Sequence, residues 1–399
     1  MMREALAGEG GMTPSGDALQ PLAAGALAAV VGFASAFTIV LQGLRAAGAT
    51  PLEAAAGLMA VCLIQGVASI ALSLRLRMPI SIAWSTPGAV LLIATGTPAG
   101  GFPVTVGAFM LTGLLIVIAG LWRGFGEAVA AIPRSLAAAM LAGVLLDLCL
   151  APVHALGAMP HLALPIIIAW ALAWRFARRY AVPVTVLVAA IVIGLSTTLP
   201  AATLTHVWPV PVLVVPGFDL GAVVNIALPL FIVTMASQNV PGLAVLNGNG
   251  YHPPIGSLFV WTGLASILAA PVGGMTVNLA AITAALCAGP EAHPDANRRW
   301  IASIALGGTY IVFGLFAGLA AAFIASAPPV LIQTVAGLAL LASLASALMG
   351  ALVREDDRVP AIVTFVTAAS GVAVLGIGAA FWGLIAGGVL VGLNRLGRS

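Results

Sequence analysis

The sequence predicts an all-α polytopic membrane protein with 14 transmembrane segments in a 7+7 inverted repeat, with short strands and half-helices in segments 3 and 10. Three observations predict this class. Of 399 residues, 61% are hydrophobic and 7% are charged, whereas a soluble domain carries about 25% charged residues. The arginines gather at alternate span ends. Two apolar segments, one in each half, are interrupted by Pro, Gly and polar residues.

The spans are apolar runs bounded by charged residues, Pro or Gly. A spanning helix needs about 20 mostly apolar residues. The fourteen segments lie near 18–44, 51–74, 79–97, 103–122, 132–151, 161–177, 182–198, 221–246, 254–270, 272–288, 299–325, 328–350, 359–374 and 376–394.

The orientation follows from the arginines. With a cytoplasmic N-terminus, 14 of the 15 arginines lie on cytoplasmic ends and loops, and Arg45 lies outside. This is the asymmetry that the positive-inside rule requires. Both termini are then cytoplasmic. Residues 1–17 form a charged cytoplasmic tail with no cleavable signal peptide, and residues 199–220 form the outer linker. Because each half has seven spans, the second half is inverted relative to the first.

Segments 3 and 10 are the broken segments of the two halves. Residues 78–92 and 271–282 each pass from Pro or Gly through a few polar residues into a short apolar helix. Such pairs point to the binding site of a secondary transporter. A helix that begins inside the bilayer presents unpaired N–H groups and the positive end of its dipole. It can therefore hold an anion without a basic side chain.

Polar residues within a span are costly and usually face a cavity. Ser85 and Thr86 either cap half-helix 3 alone or cap it and contact substrate, and Asn278 beside Thr276 has the same two readings in segment 10. Span 8 contains the amides Gln238 and Asn239, preceded by Ser237. These amides either form hydrogen bonds to a neighbouring helix or line a cavity. We expect that they line a cavity, because a Pro241-Gly242 break follows.

Further candidates lie on spans 1, 5 and 8. Phe37 and Met235 either pack within the bundle or contact a flat substrate, which Ser35 could also reach. Asp147 is the candidate for proton coupling, unless it is an interfacial, solvated carboxylate. No carboxylate lies at the centre of either broken segment, so the predicted site is neutral apart from two helix dipoles. Such a site suits a small monovalent anion better than a cation.

Several function classes are disfavoured. The sequence lacks a Walker-type phosphate loop, an H-E-x-x-H motif and a set of nucleophile, base and orienting residue. We therefore expect no enzyme, no cofactor and no metal; the three cysteines also lack metal-ligand spacing. A formal charge of +3 is too small to indicate nucleic-acid binding. A passive anion channel stays open as an alternative to a carrier.

Three stretches carry a resemblance to a known family. Residues 82–89, residues 277–285 and Gln238-Asn239-Val240-Pro241-Gly242 with Asn247-Gly248 resemble the benzoate/proton symporter family (BenE type), and the likeness extends over residues 20–395. It implies a multi-pass carrier of the bacterial inner (cytoplasmic) membrane that imports benzoate, or a similar aromatic carboxylate, with a proton.

The resemblance also implies an architecture. The family is similar in fold to uracil/proton symporters and anion exchangers, in which strands of spans 3 and 10 cross near the membrane centre and a core domain moves against a gate domain. On this chain the core would comprise residues 18–125 and 221–326, and the gate residues 126–198 and 327–399. A homodimer through the gate would follow by the same resemblance.

One departure bears on the substrate. Uracil carriers place glutamates on span 8 and at the start of span 10, where this chain has Gln238 and Val277. A nucleobase needs an acceptor for its ring N–H, whereas a carboxylate needs only donors. A nucleobase is therefore disfavoured, although a nucleobase or inorganic-anion carrier of this fold stays as an alternative. The proton could travel on the substrate, on Asp147 or through water.

Overall fold

The computed structural model describes residues 16–122, 133–178, 181–196, 208–280, 282–290, 292–326, 328–372 and 379–396. The chain is a largely helical, multi-pass membrane protein, which confirms the predicted fold class. Within the described residues, six helices are long and apolar enough to cross a bilayer, and the two arms of the first helix together make a seventh. Four shorter apolar helices accompany them. The number of fourteen spans stays a prediction.

The described part of residues 16–196 contains seven helices and one strand. They are α1 (Gly16–Ala46), α2 (Pro51–Leu76), β1 (Ile82–Trp84), α3 (Thr86–Thr95), α4 (Phe102–Leu121), α5 (Arg134–Ala158), α6 (Pro160–Phe176) and α7 (Ala181–Ser196). The predicted linker 199–220 is described only from residue 208, and the predicted tail 1–17 only from residue 16.

The described part of residues 208–396 contains ten helices and a second strand. They are α8 (Leu220–Ala222), α9 (Leu228–Thr234), α10 (Val240–Gly248), α11 (Ile255–Ala269), β2 (Val277–Leu279), α12 (Ile282–Ala288), α13 (Trp300–Leu315), α14 (Ala317–Ser326), α15 (Pro329–Leu352), α16 (Arg358–Ala369) and α17 (Ala379–Leu396). Segments 3 and 10 thus each contain a short strand followed by a short helix, as the sequence predicts.

Strand β1 in the first half of the chain pairs with strand β2 in the second half. They are antiparallel, with Ile82 opposite Leu279 and Trp84 opposite Val277. Two further backbone bonds extend the ladder, from Ser85 N to Thr276 O at 3.2 Å and from Ala280 N to Ser81 O at 2.9 Å. Pairing satisfies the backbone groups on one edge of each strand, which is necessary because the hydrocarbon core offers no water.

The outer edge of each strand is satisfied by a serine from the preceding helix. Ser69 of α2 accepts from Ile82 N at 2.9 Å, and Ser266 of α11 accepts from Val277 N at 3.0 Å. Ser73, one turn after Ser69, donates to Ile80 O at 3.1 Å. The same device therefore holds both strands, which are otherwise too short to be stable.

Glycine pairs bring long helices into close contact. A Cβ added at Gly307 of α13 would lie 2.5 Å from Gly66 O of α2, and one at Gly66 would lie 2.6 Å from Gly307 O. Gly113 of α4 and Gly263 of α11 face each other in the same way, at 2.8 and 2.6 Å. Without a hydrophobic driving force between helices in lipid, such close backbone packing is what holds them together.

Helices α8, α9 and α10 form one continuous span, Leu220–Asn247. Two π-helical turns, Val223–Ala227 and Met235–Asn239, join them. Each turn ends two residues before a proline, Pro229 or Pro241. Because proline lacks an N–H and clashes with the preceding turn, the wider π turn accommodates it without ending the helix. The break that the sequence suggests at Pro241-Gly242 is therefore absent, and the helix runs on to Gly248.

Helix packing falls into two groups. Helix α2 packs on α13, α4 on α11, and α1 on α13 and α3; separately, α5 packs on α15 and α16, α16 on α17, and α6 on α7. Contacts between the groups are fewer and involve chiefly α1, α3 and α5. Helix α3 thus lies where the two groups meet, which gives its N-terminal end access to the space between them.

Candidate functional site

The N-terminus of α3 is capped by a buried hydroxyl. Ser85 Oγ accepts from Gly88 N at 3.1 Å and from Thr234 Oγ1 of α9 at 3.0 Å. The Ser85 side chain is fully buried, while Thr86 beside it is half-buried. Ser85 therefore caps α3, which both hypotheses for this residue include, and Thr86 is the more accessible of the two residues.

The polar side chains of Thr276, just before β2, and of Asn278, within β2, are buried and only partly hydrogen-bonded. Asn278 Nδ2 donates to Leu279 O at 2.9 Å. Asn278 Oδ1 and Thr276 Oγ1 have no hydrogen-bond partner among the described residues. Both side chains are completely inaccessible in this conformation. A substrate contact at either residue would require this region to open.

The two adjacent amides of the α8–α10 span have different surroundings. Asn239 Oδ1 accepts from Leu279 N at 2.9 Å, and its Nδ2 donates to Met235 Sδ at 3.1 Å. Asn239 and Met235 are both buried and join this span to β2. Gln238, by contrast, is half-buried and lines a cavity. Consecutive residues of a helix point in different directions, so Asn239 faces β2 while Gln238 faces the cavity.

Phe37 belongs to an aromatic cluster around β1. Its ring stacks on Phe33 with centroids 5.1 Å apart. Phe33 also lies 5.8 Å from Trp84 and 4.6 Å from Phe313, and Trp84 lies 5.8 Å from Tyr310. Phe37 is 6% exposed, so in this conformation its side chain packs within the bundle. Helix α1 bends by 41° between Leu19–Ala34 and Ala36–Ala46, which puts Ser35 at the bend; its side chain lies outside the described residues.

The main cavity of the candidate site lies between the two helix groups at the N-terminal end of α3. Its volume is about 710 Å³, within the range of small-molecule sites. One wall comes from Pro87 and the α9–α10 region and the other from α5, α15 and the segment that follows. The lining residues are Pro87, Val233, Ala236, Ser237, Gln238 and Pro241 on the first wall, and Arg134, Ser135, Ala137, Ala138, Leu141, Ala342, Ser346, Ala347, Gly350, Val353 and Arg354 on the second.

A second cavity lies at the other end of α3. It has a volume of about 360 Å³ and includes Leu91, Ala94 and Thr95 of α3, Asp219 before α8, and Ala380 of α17. The ten-residue helix α3 therefore separates two cavities, of which the larger contains its N-terminal Pro87. Asp147 of α5 is exposed and lines neither cavity.

The sequence did not predict the wall of the main cavity that α5 and α15 form. Arg134 and Arg354 line it, whereas in the sequence the two arginines indicate only orientation. Ser135 and Ser346 also line it and were not singled out. The signal that was available is weak: each arginine lies at one end of an apolar segment, and nothing in the sequence shows that the ends of α5 and α15 face the same space.

Comparison with known proteins identifies the family. The sequence model of the family described as benzoate membrane transport protein (BenE) matches residues 17–393. The chain belongs to this family. Among relatives of this BenE-family chain, inner membrane protein YdcO of Escherichia coli (strain K12) is 41% identical over 369 residues, which cover 92% of the chain and 94% of that protein. The benzoate membrane transport protein of Acinetobacter baylyi (strain ATCC 33305 / BD413 / ADP1) is 32% identical over 372 residues, 91% and 92% of the two chains.

Solved structures share the fold of the BenE-family chain. The transmembrane domain of a cyanobacterium bicarbonate transporter, BicA, superposes with a TM-score of 0.58 at 15% identity and covers 92% of this chain and 96% of that one. Murine Slc26a9, an anion transporter in the inward-facing state, gives 0.64 at 13% identity and covers 95% and 68%. These likenesses show the fold alone. The protein is thus a membrane transporter of the benzoate transport family and not an enzyme.

Proposed function

We propose that this chain is a secondary active carrier in the bacterial inner membrane that imports benzoate, or a similar aromatic carboxylate, together with a proton. Family membership supports an organic anion as cargo. Both termini would be cytoplasmic, as the positive-inside rule requires. The main cavity, which is lined by Arg134 and Arg354, would then open to the cytoplasm.

One observation carries the choice of an aromatic carboxylate. The main cavity is lined mostly by Ala, Val, Leu and Pro, and none of its lining residues is Asp or Glu. Apolar side chains can cover a benzene ring, whereas a carboxylate needs donors. The N-terminal end of α3 provides a positive dipole end beside Pro87, and Thr86 and Gln238 provide side-chain donors within or next to the cavity. We therefore place the ring on the apolar wall and the carboxylate at the start of α3.

The two cavities support alternating access. We assign the core to the group that contains α1–α4 and α8–α14, and the gate to the group that contains α5–α7 and α15–α17. Movement of one group against the other would enlarge one cavity while closing the other, with α3 as the partition. The larger cavity is on the arginine-bearing side, so the conformation described here would be the inward-facing one.

We also propose that the two halves form an inverted repeat. Each half contains a strand followed by a half-helix and a serine on the preceding helix that bonds the strand, and two glycine pairs join long helices of one half to those of the other. The serines are Ser69 and Ser266, and the glycine pairs are Gly66 with Gly307 and Gly113 with Gly263. In the proposed repeat, α2 corresponds to α11, and α4 corresponds to α13.

The deciding experiment is uptake of labelled benzoate into proteoliposomes with and without an inward pH gradient. The proposal expects saturable uptake that the gradient stimulates and that a protonophore abolishes. Equal uptake with and without the gradient would remove the proton from the proposal. Absence of saturable uptake under both conditions would overturn benzoate transport itself.

The same vesicles separate the alternatives. Unlabelled uracil, bicarbonate and sulfate serve as competitors, and only aromatic carboxylates should reduce benzoate uptake. Counterflow adds a second criterion. Vesicles that contain a carrier and are preloaded with unlabelled benzoate accumulate labelled benzoate transiently, whereas vesicles that contain a passive channel do not. Uptake without counterflow would therefore favour the channel.

A further inference from the structure

The mouth of the main cavity contains an ion pair that the half-helix site does not use. Arg354, two residues after the end of α15, lines the cavity together with Arg134 at the start of α5. Both side chains are exposed. Asp357 lies behind Arg354 and is 7% exposed, the one carboxylate classed as buried among the described residues.

Asp357 has two partners on the cavity wall. Ser135 Oγ donates to Asp357 Oδ2 at 2.9 Å, and Arg354 Nε lies 3.3 Å from the same oxygen. The Arg354 side chain is 69% exposed and that of Asp357 is 10% exposed. Because a guanidinium carries five N–H donors and Asp357 approaches Nε alone, the remaining edge of Arg354 can receive a second carboxylate in a two-point geometry.

The charges that face the cavity have one sign. The segment around Arg354 also contains Glu355, Asp356 and Arg358, and none of these three lines the cavity. Glu355 is engaged by Arg358, whose Nη1 lies 3.2 Å from Glu355 Oε1. An anion in the cavity therefore meets Arg134 and Arg354 directly, while the acidic groups lie beside or behind them.

We propose that Arg354, with Arg134, forms a second carboxylate-binding station at the cavity mouth, and that the negative charge of Asp357 beside Arg354 weakens substrate binding there. The ligand class is a monovalent aromatic carboxylate, so this inference rests on the proposed function. The carboxylate binds the guanidinium, and the ring lies against the apolar wall formed by Ala138, Ala342, Ala347 and Val353. The station is separate from the start of α3 and acts only when the cavity is open on this side.

The test measures benzoate exchange from each side of the membrane, in right-side-out and inside-out vesicles. Arg354→Gln should raise the KM at the arginine-bearing face about three- to fivefold, the size expected for a largely exposed ion pair. Arg354→Lys, which keeps the charge but loses the planar fork, should fall between the wild type and Arg354→Gln. Arg358→Gln is the matched control, since it removes an adjacent arginine outside the cavity, and its KM should not change.

Asp357→Asn distinguishes binding from mere structural support. It removes the negative charge beside Arg354, so it should lower the KM at the arginine-bearing face. A purely structural ion pair would make Arg354→Gln and Asp357→Asn change the KM in the same direction. The KM at the opposite face should stay within about twofold for all four variants, because the station is then closed.

Three outcomes overturn the inference. The first is an equal KM for Arg354→Gln and Arg358→Gln, and the second is a KM that shifts in the same direction for Arg354→Gln and Asp357→Asn. Either of these leaves the proposed function intact. The third is a wild-type protein that does not exchange benzoate, which would overturn the proposed function as well. If Asp357→Asn does not fold, the comparison of Arg354→Gln, Arg354→Lys and Arg358→Gln decides alone.

Discussion

Neighbouring residues of the α8–α10 span have different surroundings, although the sequence predicts the same role for both. Asn239 is fully buried and bonded to β2, whereas Gln238 lines the main cavity. The sequence could identify the pair because two adjacent amides in an apolar span are costly. It could not separate them, because a π turn shifts the helical phase by one residue and the sequence has no marker for it beyond the proline that follows.

Gln238 is the first residue to test at this scale. Gln238→Ala should raise the Kd for benzoate by roughly ten- to 150-fold, because a hydrogen bond to a charged group contributes about 1.5–3 kcal/mol. Isothermal titration of benzoate into the purified protein measures the change. Gln333→Ala is the matched control, since Gln333 is an exposed amide of α15 outside the main cavity. Equal affinities for the two variants would remove Gln238 from the proposed site.

Asp147 remains the proposed proton carrier. Asp147→Asn should abolish the stimulation of benzoate uptake by an inward pH gradient and leave benzoate counterflow in place, because exchange requires no net movement of protons. Both are measured in the same proteoliposomes, with Asp219→Asn as a second carboxylate variant for comparison. Gradient-driven uptake at the wild-type level in Asp147→Asn would assign the proton to the substrate or to water instead.

Ser85 illustrates how a capping residue and a site residue coincide. Its oxygen accepts from Gly88 N and Thr234 Oγ1 and the side chain is fully buried, so in this conformation Ser85 shapes the start of α3. The sequence predicts the cap directly, because Ser before Thr-Pro-Gly is a typical helix start. The hydrogen bond that Thr234 donates to Ser85 could not be predicted, because Thr234 lies 149 positions away and no local pattern connects the two residues.

At the scale of elements, the sequence predicts broken segments 3 and 10 well because their signals are local. Pro79, Pro87 and Pro271 interrupt apolar runs, and the small polar residues that follow mark helix starts. The pairing register of β1 with β2 and the serine on each preceding helix depend on contacts between distant parts of the chain. Those contacts were therefore beyond the reach of patterns in a single sequence.

The glycine pair between α2 and α13 gives a prediction for this scale. Gly307→Val should destabilise the protein by about 1–3 kcal/mol, because the new side chain would overlap the backbone of α2. Gly308→Val is the control, since a Cβ at Gly308 meets nothing within 4 Å. Thermal unfolding in detergent, followed by size-exclusion chromatography, compares the two. A variant pair with the same loss of stability would show that α2 and α13 can separate without consequence.

At the scale of the whole molecule, the two cavities predict a pattern of accessibility. Ser346 lines the main cavity and Ala94 the second one, and the three native cysteines are buried. In the inward-facing state, Ser346→Cys should react with an impermeant thiol reagent from the arginine-bearing side only. Ala94→Cys should react from the opposite side only, and benzoate should slow the labelling of Ser346→Cys. Labelling of both positions from one side would contradict alternating access.

The overall architecture was predictable from the sequence to the extent that it depends on composition and charge. Apolar runs and the placement of arginine specify a multi-pass membrane protein, because lipid and water sort residues by simple rules. Cavities do not follow from such rules. The main cavity exists because the ends of α5 and α15 face the α9–α10 region across a gap, and that distance is fixed only when all of these helices are packed.

The partition formed by α3 has an electrical consequence. Two water-filled cavities at its ends would bring the potentials of both bathing solutions close to a helix of ten residues, about 15 Å long, so most of the membrane voltage would fall across it. An anion that passes this helix without a proton would then cross nearly the full membrane voltage, with an energy change of about 2.3 kcal/mol per elementary charge per 100 mV. Benzoate accompanied by one proton would feel none of it. Imposed potassium diffusion potentials should therefore leave the proton-coupled uptake unchanged and alter the movement of benzoate without a proton, and a strong voltage dependence of coupled uptake would exclude a one-to-one stoichiometry.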